Sequence, residues 1–177
     1  MRNRTLRLVA IILVSATLLT TSCAQKATFE QKRSDVVTYL RAFNTIENSF
    51  GETISQVALP RSSKTAANLI AFNAAITRLL TAYDGAISRL AELKPSSLET
   101  STNTHLQQAR FLYQSQRSLV NELRDAIAIG NATSIAQKVT ELAAADSATS
   151  SMNRDTEQLM LQFNISDTEV NYRFRGK

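Results

Sequence analysis

The chain has 177 residues, 44% of them hydrophobic, with 20 Lys and Arg against 15 Asp and Glu, one histidine, one cysteine, two prolines, four glycines and no tryptophan. A single cysteine excludes an intrachain disulfide framework and cysteine-based zinc sites. So few prolines and glycines leave too few breaks for an all-β sandwich or barrel, and the frequent Ala, Leu, Gln, Arg and Glu lose little on entering a helix, so the first expectation is all-α.

The chain opens MRNRTLR, with Arg2, Arg4 and Arg7 and no acid, then runs LVAIILVSATLL over residues 8–19 and reaches TTSC at residues 20–23. A basic start, an apolar run and a small-residue zone have the order of a secretory signal peptide. A membrane-spanning helix needs about 20 apolar residues to cross about 30 Å of hydrocarbon, and the apolar run is shorter than that. With residues 1–22 set aside as a leader, about 155 residues remain, enough for one domain with a real core. The three leader arginines leave with it, so 17 basic side chains face 15 acidic ones. Such balance speaks for a solvated helical surface and against a nucleic-acid partner.

Leu19-Thr20-Thr21-Ser22-Cys23 resembles the lipobox of bacterial lipoproteins, in which a leucine and two small residues precede a cysteine that becomes lipidated. The leucine of that motif usually stands three residues before the cysteine; here Thr20 holds that place and Leu19 lies one further back. The resemblance implies that cleavage follows Ser22, that Cys23 becomes the acylated mature N-terminus, and that the protein is exported and anchored to a cell membrane or outer membrane. In such lipoproteins an aspartate after the cysteine favours inner-membrane retention, and Ala24 stands here instead. Ser22-Cys23-Ala24 also satisfies the small-x-small cleavage pattern, and a cut after Ala24 would release a soluble protein without cysteine.

Residues 23–28 read as a short tether, reaching at most about 20 Å when extended. Segment one, about Phe29 to Leu59, places Val36, Leu40, Phe43, Ile46, Phe50, Ile54 and Val57 at steps of three and four, the spacing of one helix face. Leu59-Pro60-Arg61-Ser62-Ser63 reads as its stop. Segment two, about Ser63 to Leu93, repeats the pattern with Leu69, Phe72, Ile76, Leu79, Leu80, Tyr83, Ile87 and Leu90, and ends at Lys94-Pro95-Ser96-Ser97. Gly51 and Gly85 fall inside these helices, and a kink or frayed turn is expected near Phe50-Gly51.

Segment three, about Leu98 to Ile129, carries Leu98, Leu106, Ala109, Leu112, Leu119, Leu123 and Ile127, and Gly130-Asn131 reads as a C-terminal cap and turn. Segment four, about Ala132 to Phe163, carries Ile135, Val139, Leu142, Ala145, Met152, Leu159 and Phe163. Its middle, AAADSATSS over residues 143–151, suits close helix packing, with a partner groove as the alternative. Four helices of about 45 Å joined by short loops predict an up-down-up-down antiparallel four-helix bundle over residues 29–165, with a tail at 166–177.

The chemistry within this bundle is sparse. Di-iron bundles need Glu-x-x-His on two helices, and only His105 is available, with Thr102 three before it. No catalytic residues, metal ligands or cofactor are expected. A haem held by His105 with Met152 or Met160, a metal or a lipid in the core is the ligand-binding alternative. Glu47, Asp84, Glu92, Glu122, Asp125 and Glu141 read as a solvated face. The tail NYRFRGK returns, in an even-numbered bundle, to the end bearing Cys23, so Tyr172, Arg173, Phe174, Arg175 and Lys177 are candidates for a second, weak membrane contact. A frayed, solvated terminus is the other expectation. The sequence thus points to a non-enzymatic envelope protein, held through an N-terminal lipid, that meets a protein partner or acts as a spacer.

Overall fold

The helical periodicities become four long helices and one short one: α1 (Arg2–Ser55), α2 (Ala66–Glu92), α3 (Thr100–Ile129), α4 (Ala132–Gln162) and α5 (Asp167–Val170). This computed structural model describes the backbone of residues 2–57 and 66–173 and the side chains of residues 28–57, 70–145 and 148–173. Among the described residues there is no strand, and no helix is long and apolar enough to cross a membrane.

Helix α1 starts at Arg2, far ahead of Phe29, through residues rich in helix-forming Leu and Ala. It ends at Ser55, and the expected stop at Leu59–Ser63 lies outside the described residues. The helix also passes Gly51 without fraying. Phe50 packs against Tyr83 and Tyr113, with ring centroids 4.9 and 4.7 Å away, and this aromatic contact offsets the cost of about 1 kcal/mol that a helical glycine carries.

Side-chain contacts fix the directions of the helices. Arg89 reaches Ser49 while Tyr83 packs on Phe50; Arg117 pairs with Asp84 while Arg110 reaches Leu90; His105 meets Thr156 while Gln116 meets Thr149. In the last two pairings rising numbers on one helix meet falling numbers on its neighbour, so α2 and α3, and α3 and α4, run antiparallel. Between them lie Val36, Leu40, Ile76, Leu90, Leu106 and Leu123, all fully buried and all from the expected apolar faces. Each such side chain contributes about 1.5–3 kcal/mol on burial. Phe29, Leu98 and Val139 are the exceptions: they follow the periodicity but stand 45–47% exposed.

Helix ends are closed by a glycine cap and by side chains from other helices. Gly130 sits at φ 73° and donates its N–H to Ala126 and Ile127, a left-handed cap that glycine adopts without steric cost. The Arg110 guanidinium donates to the carbonyls of Leu90, Ala91 and Leu93 at the end of α2. Arg33 does the same for α4, donating to Phe163 and Asn164. A cation at the negative end of a helix dipole is favourable in both places.

Helices α1 and α4 are bridged by the returning C-terminal segment instead of packing backbone to backbone. After α4, Asn164 at φ 52° turns the chain, and α5 with its flanks lies along α1. Asparagine tolerates this left-handed conformation better than most residues.

Candidate functional site

The groups able to do chemistry lie along one buried seam, and His105 is at its centre. The ring is 2% exposed. Thr156 Oγ1 donates to the Met152 carbonyl one turn back at 3.1 Å, so it accepts from His105 Nε2 at 2.9 Å. That assigns the proton to Nε2 and leaves Nδ1 to accept from the Tyr39 hydroxyl at 2.7 Å. One neutral tautomer therefore satisfies a chain that links α1, α3 and α4. Burial pushes the His105 pKa down to about 4 and raises that of Tyr39. Phe43 meets the imidazole edge-on at 4.6 Å. Both ring nitrogens are engaged, and Met152 and Met160 belong to the packed core. In this arrangement His105 acts as a hydrogen-bonding post between three helices, and no nitrogen of it points at an open coordination site.

A second cluster lies further along the seam. Glu47, expected on the solvated face, is only half-exposed and accepts from the Tyr113 hydroxyl at 2.5 Å. The reason is rotational: Glu47 shares the flank of α1 with Asn44 and Phe43, four residues or fewer away, and α3 covers it. Glu47, Tyr113, Gln116, Asn153 and Tyr172, with Phe43, Phe50, Leu112 and Met152, border a small cavity of about 60 Å³, room for a few ordered waters. The other expected surface carboxylates behave as such. Asp84 pairs with Arg117, and Glu122 and Glu141 pair with Lys138.

The tail takes a course that its composition does not announce. Ser166 and Glu169 form a capping box, in which Glu169 accepts from the Ser166 N–H at 2.9 Å. That bond, the Arg33 guanidinium at 2.7 Å and the Ser166 hydroxyl hold the Glu169 pKa down to about 2. Side chains of α1 then grip the backbone of the returning segment: Arg41 donates to the Glu169 carbonyl, Asn44 to Val170 and Asn48 to Asn171. Val170 is fully buried, and the Tyr172 hydroxyl reaches the Asn153 carbonyl at 3.4 Å. Arg173 pairs with Glu52 at 3.0 Å.

Those contacts climb α1 from Arg33 to Glu52, about 28 Å at 1.5 Å per residue. The described part of the tail thus runs away from the N-terminal end of α1, where it was expected beside Cys23, and it is neither frayed nor, at Tyr172, turned to solvent. One buried valine in a polar stretch, gripped through its backbone, accounts for the difference. Phe174, Arg175 and Lys177 lie outside the described residues, as do the side chains of the leader, Cys23 included.

Among the described residues no three His, Cys, Asp or Glu side chains gather as a metal site. No protein family, curated protein or solved structure matches the chain.

Proposed function

We propose that the protein is a lipid-anchored lipoprotein of a bacterial cell envelope whose helices form an up-down-up-down four-helix bundle that serves as a non-enzymatic interaction or spacer module. The observation that carries this reading is the lone cysteine, Cys23, placed where the apolar run of residues 8–19 gives way to a polar chain, behind Leu19-Thr20-Thr21-Ser22. The pairing of α2 with α3 and α3 with α4 supports the bundle, as does the stacking of Phe29, midway along α1, on Phe163 at the end of α4. The seam supports a structural role: its only histidine is neutral, buried and bonded on both sides.

In this account the bundle stands close to its membrane and offers its long sides to an envelope protein. The mass of the mature protein extracted from membranes tests it. A mature N-terminus at Cys23 carrying the mass of acyl chains is expected, and Cys23→Ser should move the protein from the membrane fraction to the soluble one. A mature N-terminus at Gln25 with no added mass would mean a freely secreted bundle.

A further inference from the structure

A groove of about 610 Å³ runs between α1 and α2, and its charge is of one sign. Arg78 and Arg89 stand on its α2 wall, eleven residues and therefore about 16 Å apart. Among the described residues no acid lines it. Glu52 is turned to Arg173, Asp84 to Arg117, and Glu92 lies a turn past Arg89. Arg89 donates one N–H to Ser49 at 3.1 Å and keeps its other donors, while Arg78 is exposed and has no carboxylate partner among the described residues.

Between the two arginines the floor is apolar and low, with Ile46 and Phe50 from α1 and Ala82, Gly85 and Ala86 from α2. Gly85 lies inside α2, where alanine would be the more stable residue. Its own helix aside, no described atom comes within 4 Å of the place its Cβ would take. No contact within the described protein therefore needs a residue without a side chain there, whereas a second chain laid closely in the groove does.

We propose that this groove holds an acidic amphipathic helix of a partner protein, with carboxylates about 16 Å apart on Arg78 and Arg89 and small apolar side chains over Gly85. The low floor admits a helix at the usual axis separation of about 8–10 Å. Arginine beside a small apolar centre is the composition of protein interfaces. A second copy of this chain fits badly, because it would set arginine against arginine across the shared groove. A lone phosphate does not span the two guanidinium groups. In the proposed orientation Ser49 stands about 39 Å along α1 from Cys23, beyond the headgroups of the anchoring membrane. Such a partner belongs to the reading of the bundle as an interaction module, while the groove itself does not depend on lipid on Cys23.

The test is titration of the full-length protein with a synthetic alanine- and leucine-rich helix carrying two glutamates eleven residues apart. Saturable one-to-one binding with a Kd of about 100 μM or tighter is expected, weakening as salt is raised because ion pairs carry it. The same peptide with glutamine for both glutamates should bind at least about tenfold more weakly, and Arg78→Gln and Arg89→Gln should each weaken the acidic peptide at least about threefold. Gly85→Leu places its side chain in open space and should abolish binding with the thermal midpoint unchanged or raised. Arg124→Gln, at an exposed arginine of α3, should leave binding unchanged. Absence of saturable binding, equal binding of the glutamine peptide, or indifference to Arg78→Gln and Arg89→Gln would each overturn the proposal. Displacement of the peptide by phosphatidylglycerol vesicles would assign the groove to lipid headgroups and overturn it as well.

Discussion

The first and second parts of α4 have unlike fates. Residues 151–163 bury Met152, Thr156, Leu159, Met160 and Phe163, join the His105 chain and are closed at the end by Arg33. Among the described residues of 132–150 none is buried, and the polar ties to α3 are the Lys138–Glu122 pair and the Gln116 amide, which donates to Ala145 and Thr149. Surface pairs of this kind stabilise weakly. Helical periodicity is present in both halves. Depth of burial separates them, and depth depends on what the other elements lay over a face. The returning segment covers the α1–α4 side of the second half, and the first half has no such cover described. In the proposed orientation the locked half lies next to the membrane and the looser half points away from it.

The largest expected contrast comes from truncating one apolar side chain in each half. Phe163→Ala should lose about 3–5 kcal/mol in urea unfolding, as buried aromatic truncations do. Val139→Ala, at 47% exposure, should stay within about 0.5 kcal/mol. A large loss at Val139 would break the comparison.

Acid should loosen the locked half selectively. The folded-state pKa of His105, about 4, lies below its unfolded value of 6.5, so the unfolded chain binds the extra proton between those values. Stability is therefore complete above pH 6.5 and falls as pH drops toward 4, by about 3 kcal/mol at about 1.4 kcal/mol per pH unit. Replacing His105 with glutamine should flatten this slope between pH 4 and 6.5 in a denaturant series. Glu169, with its pKa depressed to about 2, acts at lower pH: its contribution is present above the usual carboxylate range and is lost as pH falls through 2.

Smaller effects sharpen the role of the returning segment. Asn44 is 2% exposed and donates to the Val170 carbonyl at 2.9 Å, so Asn44→Ala should cost about 1–3 kcal/mol by leaving that buried carbonyl without its donor. Arg173→Gln removes an ion pair whose members are 69% and 66% exposed, and the midpoint should move by no more than about 0–1 kcal/mol. Equal losses at both positions would mean that the segment is held by charge at its tip as much as by its buried valine.

The helices were legible because Leu, Ile, Val and Phe recur at steps of three and four, and Gly130-Asn131 marks a break that any chain would take there. The polar core was not. Thr102, His105, Gln116 and Thr156 sit on apolar faces where periodicity counts them as gaps, and each is buried. Thr156 lies four residues before Met160 and four after Met152, and that register was the available signal. The tail was misleading for another reason. Tyr172 and the basic residues beside it suggest an interface, while the contact that fixes the segment is Val170, whose carbonyl is held by an asparagine 126 residues earlier. Pairing at that distance leaves no local trace. In the small-residue stretch of α4, the Ala145 carbonyl accepts from the Gln116 amide of α3, while Ala148 and Ser151 border a surface depression between the two helices.

Amide hydrogen exchange along α4, read fragment by fragment at pH 7, tests the contrast most directly. Fragments from residues 151–163 should exchange far more slowly than those from 132–145, by a factor that shrinks when Asn44→Ala loosens the returning segment. Equal protection of the two halves, unmoved by Asn44→Ala, would contradict the view that the returning segment locks one end of the bundle.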